Sequence, residues 1–322
     1  MSIIEKAASR IDHTRAPAPA PVVVEHDDQM VVLQPHASPA TALPPAAAPH
    51  VPPASAASPV VAPGAARAEP RLESRTTTSK QGTRQVELDL AAMREAGLVT
   101  AASGRTSLLE DFRVIKRPLL QRAFTQATGG RPNNLIMITS SLPGEGKTYC
   151  ALNLAMSIAM ELDHTVLLVD ADVARPSVLR TLGLPAQRGL MDILVDDKLD
   201  LSDVMLRTNV DTLSILPAGT STPRATELLA SSTMSNLVNE IAHRYPDRVI
   251  IFDSPPLLLT SESRVLASHM GQIVVVVEAQ GTTQQAVQES LRQLEGCSNV
   301  NLIYNKARDI PGIEEKYDYN YG

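Results

Sequence analysis

The chain has 322 residues, a formal net charge of −6 and no block of clustered Lys and Arg, which argues against a nucleic-acid phosphate backbone as its main partner. Two cysteines, Cys150 and Cys297, show neither metal-ligand spacing nor a redox pair, as suits a reducing cytoplasm. No apolar run approaches the roughly 20 residues of a membrane span. The amino-terminal MSIIEKAASRID also lacks the long apolar stretch of a signal peptide, so any membrane role is expected to be peripheral.

In chain order, residues 1–15 place Ile3, Ile4, Ala7, Ala8 and Ile11 at helical spacing and predict a short amphipathic peptide, read either as a frayed terminus or as a docking element. Ala and Pro then dominate, in stretches such as ALPPAAAPHVPPASAASP, and such a segment buries too little apolar surface to offset its ordering entropy. Residues 16–104 are therefore expected to form a disordered Pro/Ala-rich tether. A helix is predicted from Ser107, with Ser107 and Glu110 as a capping box, an apolar stripe of Leu108, Phe112, Ile115 and Leu119, and a bend at Pro118.

After Gly129 and Gly130, apolar runs predict strands at 135–139, 166–170, 213–216, 249–253, 273–277 and 300–304. Amphipathic stretches between them predict helices, notably over 147–162, 226–245 and 283–294. Continuous Val/Ile/Leu strands alternating with helices imply an α/β fold whose mostly parallel sheet is covered by helices on both faces. The predicted working domain runs over 105–312, followed by a tyrosine-rich tail, 313–322.

The segment LIMITSSLPGEGKT reads strand, Gly-containing loop, helix start, with Gly144, Gly146, Lys147 and Thr148 at the spacing of a phosphate-binding loop. Glycines let backbone N–H groups approach phosphate oxygens, and the helix that follows presents its positive end. Lys147 is placed to reach the outer phosphates of ATP and Thr148 to hold Mg2+. Candidate nucleotide contacts are Ser141, Pro143, Gly144, Glu145, Gly146, Lys147, Thr148 and Tyr149. Ser141 stands where the pattern GxxxxGK[ST] has its first Gly. Two carboxylate segments, VLLVDAD and RVIIFDSPP, put Asp170, Asp172 and Asp253 at predicted strand ends, where ligand-binding residues of parallel sheets belong. Asp170 and Asp253 are candidates for holding the water shell of magnesium. Taken singly, each reads equally well as a helix-cap or turn residue. Asn305 and Lys306, ending the last strand, are candidate contacts to the nucleotide base or simply a polar strand end.

Half of the six tyrosines, Tyr317, Tyr319 and Tyr321, fall in the closing KYDYNYG. From Asn305 to Tyr317 an extended chain spans at most about 40 Å, enough to reach a neighbouring copy's nucleotide. Taken alone, the cluster also reads as a sticky tail. Tyr149, Tyr245 and Tyr304 read as structural, from their helix and strand positions.

With PGEGKT, VDADVARPS, IIFDSPP, LPAGTSTPRATELL and the terminal tyrosines, residues 105–322 resemble the bacterial tyrosine kinases of polysaccharide export, which are themselves similar to the MinD and ParA group of P-loop ATPases. DFRVIKRPLL and the amino-terminal peptide make the exosortase-associated subset the best match within that family. The resemblance implies a P-loop NTPase fold and a cytoplasmic kinase, dependent on ATP and Mg2+, that phosphorylates Tyr317, Tyr319 and Tyr321. It also implies a homo-oligomer, a membrane-embedded polysaccharide chain-length partner and an opposing tyrosine phosphatase. In the family pattern Lys147, Asp170, Asp172 and Asp253 are the catalytic set, with Asp170 or Asp172 as base. The family's oligomerisation motif appears as Glu110, Arg113 and Lys116, with Arg117 adjacent. Ala174 occupies a slot usually held by Arg, with Arg175 following it, and Leu142 stands where MinD and ParA relatives carry an extra Lys. Two alternatives stay open on sequence: an ATPase switch of the MinD and ParA kind, and a nucleotide-sensing scaffold.

Overall fold

The computed structural model describes residues 84–104, 106–125, 130–245 and 247–307. The predicted amino-terminal peptide, most of the predicted tether and the tail with Tyr317, Tyr319 and Tyr321 lie outside them.

Strand β1 (Arg84–Gln85) and helix α1 (Leu90–Glu95) open the folded unit, followed by α2 (Ser107–Ala123). β2 (Leu135–Ser140), α3 (Lys147–Ala159) and β3 (Thr165–Asp170) come next. Three short helices follow: α4 (Val178–Thr181), α5 (Leu190–Val195) and α6 (Leu201–Val204). β4 (Leu206–Arg207) and β5 (Leu213–Leu216) precede α7 (Ala225–Leu229) and α8 (Ser232–Arg244). The unit closes with β6 (Arg248–Asp253), α9 (Ser261–Ala267), β7 (Gln272–Glu278), α10 (Gln284–Gln293) and β8 (Val300–Asn305).

The eight strands form one sheet in the order β1-β4-β5-β3-β6-β2-β7-β8, parallel except where β4 runs antiparallel to β5. Successive residues of a strand point to opposite faces. Leu135 and Met137 accordingly join one core with Leu237 and Ile241 of α8, while Ile136 and Ile138 join the other with Leu152 and Leu154 of α3. Both faces are dry, which is why the central strands are apolar without alternation. The six long strands fall within one or two residues of their predicted bounds. Among the described residues no helix is long and apolar enough to cross a membrane.

Several expectations are corrected. The tether boundary at 104 falls inside the folded unit: Leu88, Met93, Leu98 and Val99 are each at most 4% exposed and belong to the α3-side core. Asp89 caps α1 by accepting from the Ala91 and Ala92 amides, and Gly97 at φ 76° follows its end, so the stretch carried helix-start and helix-stop signals beneath its polar composition. Thr106, not Ser107, caps α2; it has the extended backbone a cap requires and accepts from the Leu109 amide, whereas Glu110 turns to Arg113. α2 runs unbroken through Pro118. The predicted helix over 226–245 is two helices, because Ser231 adopts an extended conformation and caps the second through the Met234 amide.

Segment 86–99 is tied down by polar contacts as well as by burial. The Leu88 amide donates to Asn209 Oδ1 at 2.9 Å, the Val99 amide to Asn153 Oδ1 at 2.7 Å, and the Tyr149 hydroxyl to the Gly97 carbonyl at 2.8 Å. Leu98→Ala is expected to lower the unfolding free energy of the full chain by about 2–4 kcal/mol, as buried Leu truncations do. Chemical denaturation measures this, and an unchanged midpoint would return the segment to the tether.

Candidate active site

The carboxyl ends of three neighbouring strands build the site. β3 and β6 pair so that Asp170 lies directly opposite Asp253, and β6 in turn pairs with β2, from which the phosphate loop departs. The loop is fixed from below by the segment after β6, whose Leu257 and Leu258 amides donate to the Ser140 and Ser141 carbonyls.

Within the loop, only Gly144 (φ 87°) and Gly146 (φ 97°) take the left-handed conformation. Ser141 does not, so the first Gly of the motif is dispensable here for its backbone freedom. Gly146 is doubly required, since a Cβ there would stand 2.1 Å from Asn305 Nδ2. Glu145, 2% exposed, closes the loop on itself by accepting from the Leu142 amide at 2.7 Å, and it also accepts from the Thr282 hydroxyl. Asn305 Nδ2 donates to the Glu145 carbonyl and Lys306 Nζ to the Gly144 carbonyl, both at 2.8 Å. These two predicted base contacts therefore bind the loop's own backbone. Next to the loop, the first amides of α3 lack intrahelical partners, as the first turn of any helix does.

Lys147 Nζ lies 2.7 Å from Asp172 Oδ2, in a pair whose side chains are 14% and 5% exposed. Asp172 Oδ1 accepts from the Arg175 amide, so both of its oxygens are engaged. Thr148 Oγ1 donates to Asp253 Oδ2 at 2.7 Å and lies 2.8 Å from the Ser177 hydroxyl. Asp170 Oδ2 accepts from the Ser177 and Val178 amides, each at 3.0 Å. Asp170 Oδ1 and Asp253 Oδ1 are buried and have no hydrogen-bond partner among the described residues. Burial pushes the Asp170 carboxyl up to about 6, against the pull of the Val178, Ser177 and Asp172 amides, and pushes Asp253 up to about 7, against the opposing charge of Lys147.

Two free carboxylate oxygens and a hydroxyl facing a phosphate loop suit a hydrated divalent cation bound with a nucleotide triphosphate. Among the described residues no three His, Cys, Asp or Glu side chains are arranged to hold a metal ion by themselves, so such an ion would draw its other ligands from water and phosphate. Tyr149 sits in the first turn of α3, but its side chain turns away to Gly97. Ser177 and Thr282 escaped the sequence reading. The first lies in the ARPS stretch that follows Asp172, while the second is 137 residues from its loop partner and carried no local signal.

The predicted oligomerisation set divides. Glu110, Arg113 and Arg117 are exposed on one face of α2, but Lys116 turns into the domain. It donates to the Ser157 carbonyl at 2.6 Å and pairs with Glu161 at 2.5 Å, so it supports α3 rather than an outer surface.

A family model described as an AAA domain matches residues 133–306, more than half of the chain. The tyrosine-protein kinase YwqD of Bacillus subtilis is 31% identical over 173 residues, covering 54% of this chain and 71% of the relative. The kinase domain of VpsO superposes with a TM-score of 0.53 at 30% identity, covering 62% of this chain and 96% of that one. EpsB of Ralstonia nicotianae is 29% identical over 204 residues, and the chain spans only 26% of its length. An α/β sheet with its phosphate loop, paired strand-end carboxylates and these relatives together place the chain in the bacterial tyrosine-kinase family of P-loop proteins.

Proposed function

We propose that this chain is an ATP- and Mg2+-dependent protein-tyrosine autokinase. Its acceptors are Tyr317, Tyr319 and Tyr321 of a neighbouring copy, and it acts at the cytoplasmic face of the membrane with a polysaccharide chain-length protein as partner and a tyrosine phosphatase as its opponent. The observation that carries this reading is the buried Asp170 oxygen left free beside the phosphate loop, in a chain related to tyrosine kinases.

In the reaction, the phenolic oxygen bonds to the γ-phosphorus, the bond from that phosphorus to the β–γ bridging oxygen breaks, and the phenolic proton passes to a carboxylate. Asp170 is better suited than Asp172 to take it. Asp172 has both oxygens occupied, by Lys147 and by the Arg175 amide, while Asp170 has one free and titrates at about 6, close to the operating range of a general base. Lys147 exchanges Asp172 for the outer phosphates when nucleotide arrives, and Thr148, held by Asp253, faces the metal position. Magnesium, when bound, screens the phosphate charge. Glu110, Arg113 and Arg117 present a charged face through which subunits associate. Phosphates on a tail already holding Glu314, Glu315 and Asp318 add about −1.5 to −2 charge each and favour release.

Lys147→Met is expected to reduce labelling of the tail by γ-labelled ATP at least 100-fold, and deletion of 317–322 to remove the acceptor while ATP binding persists. Peptide mapping reads both, and undiminished labelling in the Lys147 variant would sink the assignment.

Burial of the carboxylates also has a stability consequence. The folded-state pKa of Asp253 is raised from its usual value to about 7, so the folded form holds the proton more tightly than the unfolded chain does. That contribution is complete below about pH 4 and lost as pH rises through about 7. In nucleotide-free protein without magnesium, Asp253→Asn is therefore expected to raise Tm by several degrees at pH 8, with the difference shrinking toward pH 4, while kinase activity is lost. Equal melting at pH 8 would show that Asp253 ionises without penalty.

A further inference from the structure

At the opposite end of the sheet from the phosphate loop, an open cleft of about 580 Å³ lies among the segments that enter β2, β7 and β8. Arg131, Arg264 and His269 line it, and among the described residues neither arginine makes an ion pair. Two guanidinium groups and one carboxylate, Glu295, line the cleft, a cationic balance that favours an anion, and Arg presents the planar fork that binds a phosphate with two hydrogen bonds. Burial and the neighbouring Arg131 hold the His269 imidazole below its ordinary range, a cost that an anion between them relieves.

Other lining groups narrow the ligand. Val265, Ala230 and Cys297 offer an apolar wall on which an aromatic ring can rest. Gln293 lines the same cleft, and its buried Oε1 has no partner among the described residues, an acceptor that suits a peptide amide better than a bare phosphate ion. Dianion, ring and backbone N–H together describe a phosphotyrosyl peptide.

We propose that this cleft binds phosphotyrosine and that its ligand is the phosphorylated carboxyl-terminal segment of this chain, residues 308–322. The choice of occupant rests on the proposed autokinase reading, which supplies the phosphate. Its geometry follows from the sheet. β8 is the last strand in the order, so its outer edge has no partner among the described residues. Its amino end is preceded by Gly296 and Cys297 of the cleft, and its carboxyl end leads into the tail. Six strand residues span about 20 Å. From Ala307 to Tyr317, ten residues reach at most about 35 Å, enough to turn and run back along that edge to the cleft. Phosphorylated tails would then be withdrawn from the nucleotide end of the sheet and parked at the other.

Fluorescence anisotropy with a labelled synthetic peptide of residues 310–322, phosphorylated on all three tyrosines, tests this. The receptor is the full chain with Tyr317, Tyr319 and Tyr321 changed to Phe. The phosphopeptide is expected to bind at least tenfold more tightly than its unphosphorylated form. Arg131→Gln and Arg264→Gln should each weaken it at least tenfold, Glu295→Lys, also in the cleft, should tighten it, and Lys147→Met should leave it unchanged. A gain on charge reversal cannot arise from misfolding. Equal binding of the two peptides, indifference to the arginine substitutions, or loss on Lys147→Met would each overturn the proposal, the last by placing the phosphates in the nucleotide loop. Because the peptide is made already phosphorylated, failure here is distinct from failure of the chain to label itself with ATP.

Discussion

Two carboxylates held out of water opposite one another, Asp170 on β3 and Asp253 on β6, set the terms for the rest of the active end. Neither is more than 1% exposed, and each has one oxygen tied to protein donors and one free. A sheet dry on both faces enforces that burial, because the strands that deliver the carboxylates are apolar almost to their last residue. An arrangement of this kind is costly in the empty protein. Its compensation comes from Thr148, from the Ser177 and Val178 amides and from the Lys147 charge, all of which belong to the loop or face it. The energetics of the bare fold and the readiness of the site for a cation with phosphates are one property.

The loop depends equally on distant parts of the chain. Asn305 and Lys306, at the exit of the last strand, hold the carbonyls of Glu145 and Gly144, and Thr282 holds the Glu145 side chain. From the other direction, Tyr149 in the first turn of α3 grips Gly97, in the segment that joins the upstream chain to the domain. Both routes out of the folded unit thus make contact with the phosphate-loop region.

Much of this was legible in the amino-acid order. Continuous apolar runs located the six long strands, since strands dry on both faces carry a signal that needs no tertiary information. The loop glycines and the three aspartates likewise declared themselves by position. The misreadings have local causes. Residues 86–99 are thinly apolar and follow a Pro/Ala-rich stretch, so composition outweighed the Asp89 cap and the Gly97 stop. Lys116 was placed in the oligomerisation motif by resemblance alone, and only the packing of α2 on α3 reveals the Ser157 carbonyl and Glu161 that offset the cost of burying it.

By itself, then, the sequence determined the fold class, the phosphate loop and the residues available to it, because periodicity and loop chemistry are encoded within short windows. It left Asp170 and Asp172 nearly equivalent as candidate bases, and Asn305 as either a contact to the nucleotide base or a polar strand end. Tertiary structure adds which partners each of these side chains takes. Hydrogen bonds to Lys147 and Arg175 occupy Asp172 and leave Asp170 an open oxygen, and the approach of β8 to the loop turns Asn305 inward onto Glu145. The Lys147 and Asn305 contacts join groups 25 and 160 residues apart, separations at which sequence spacing carries no geometric information.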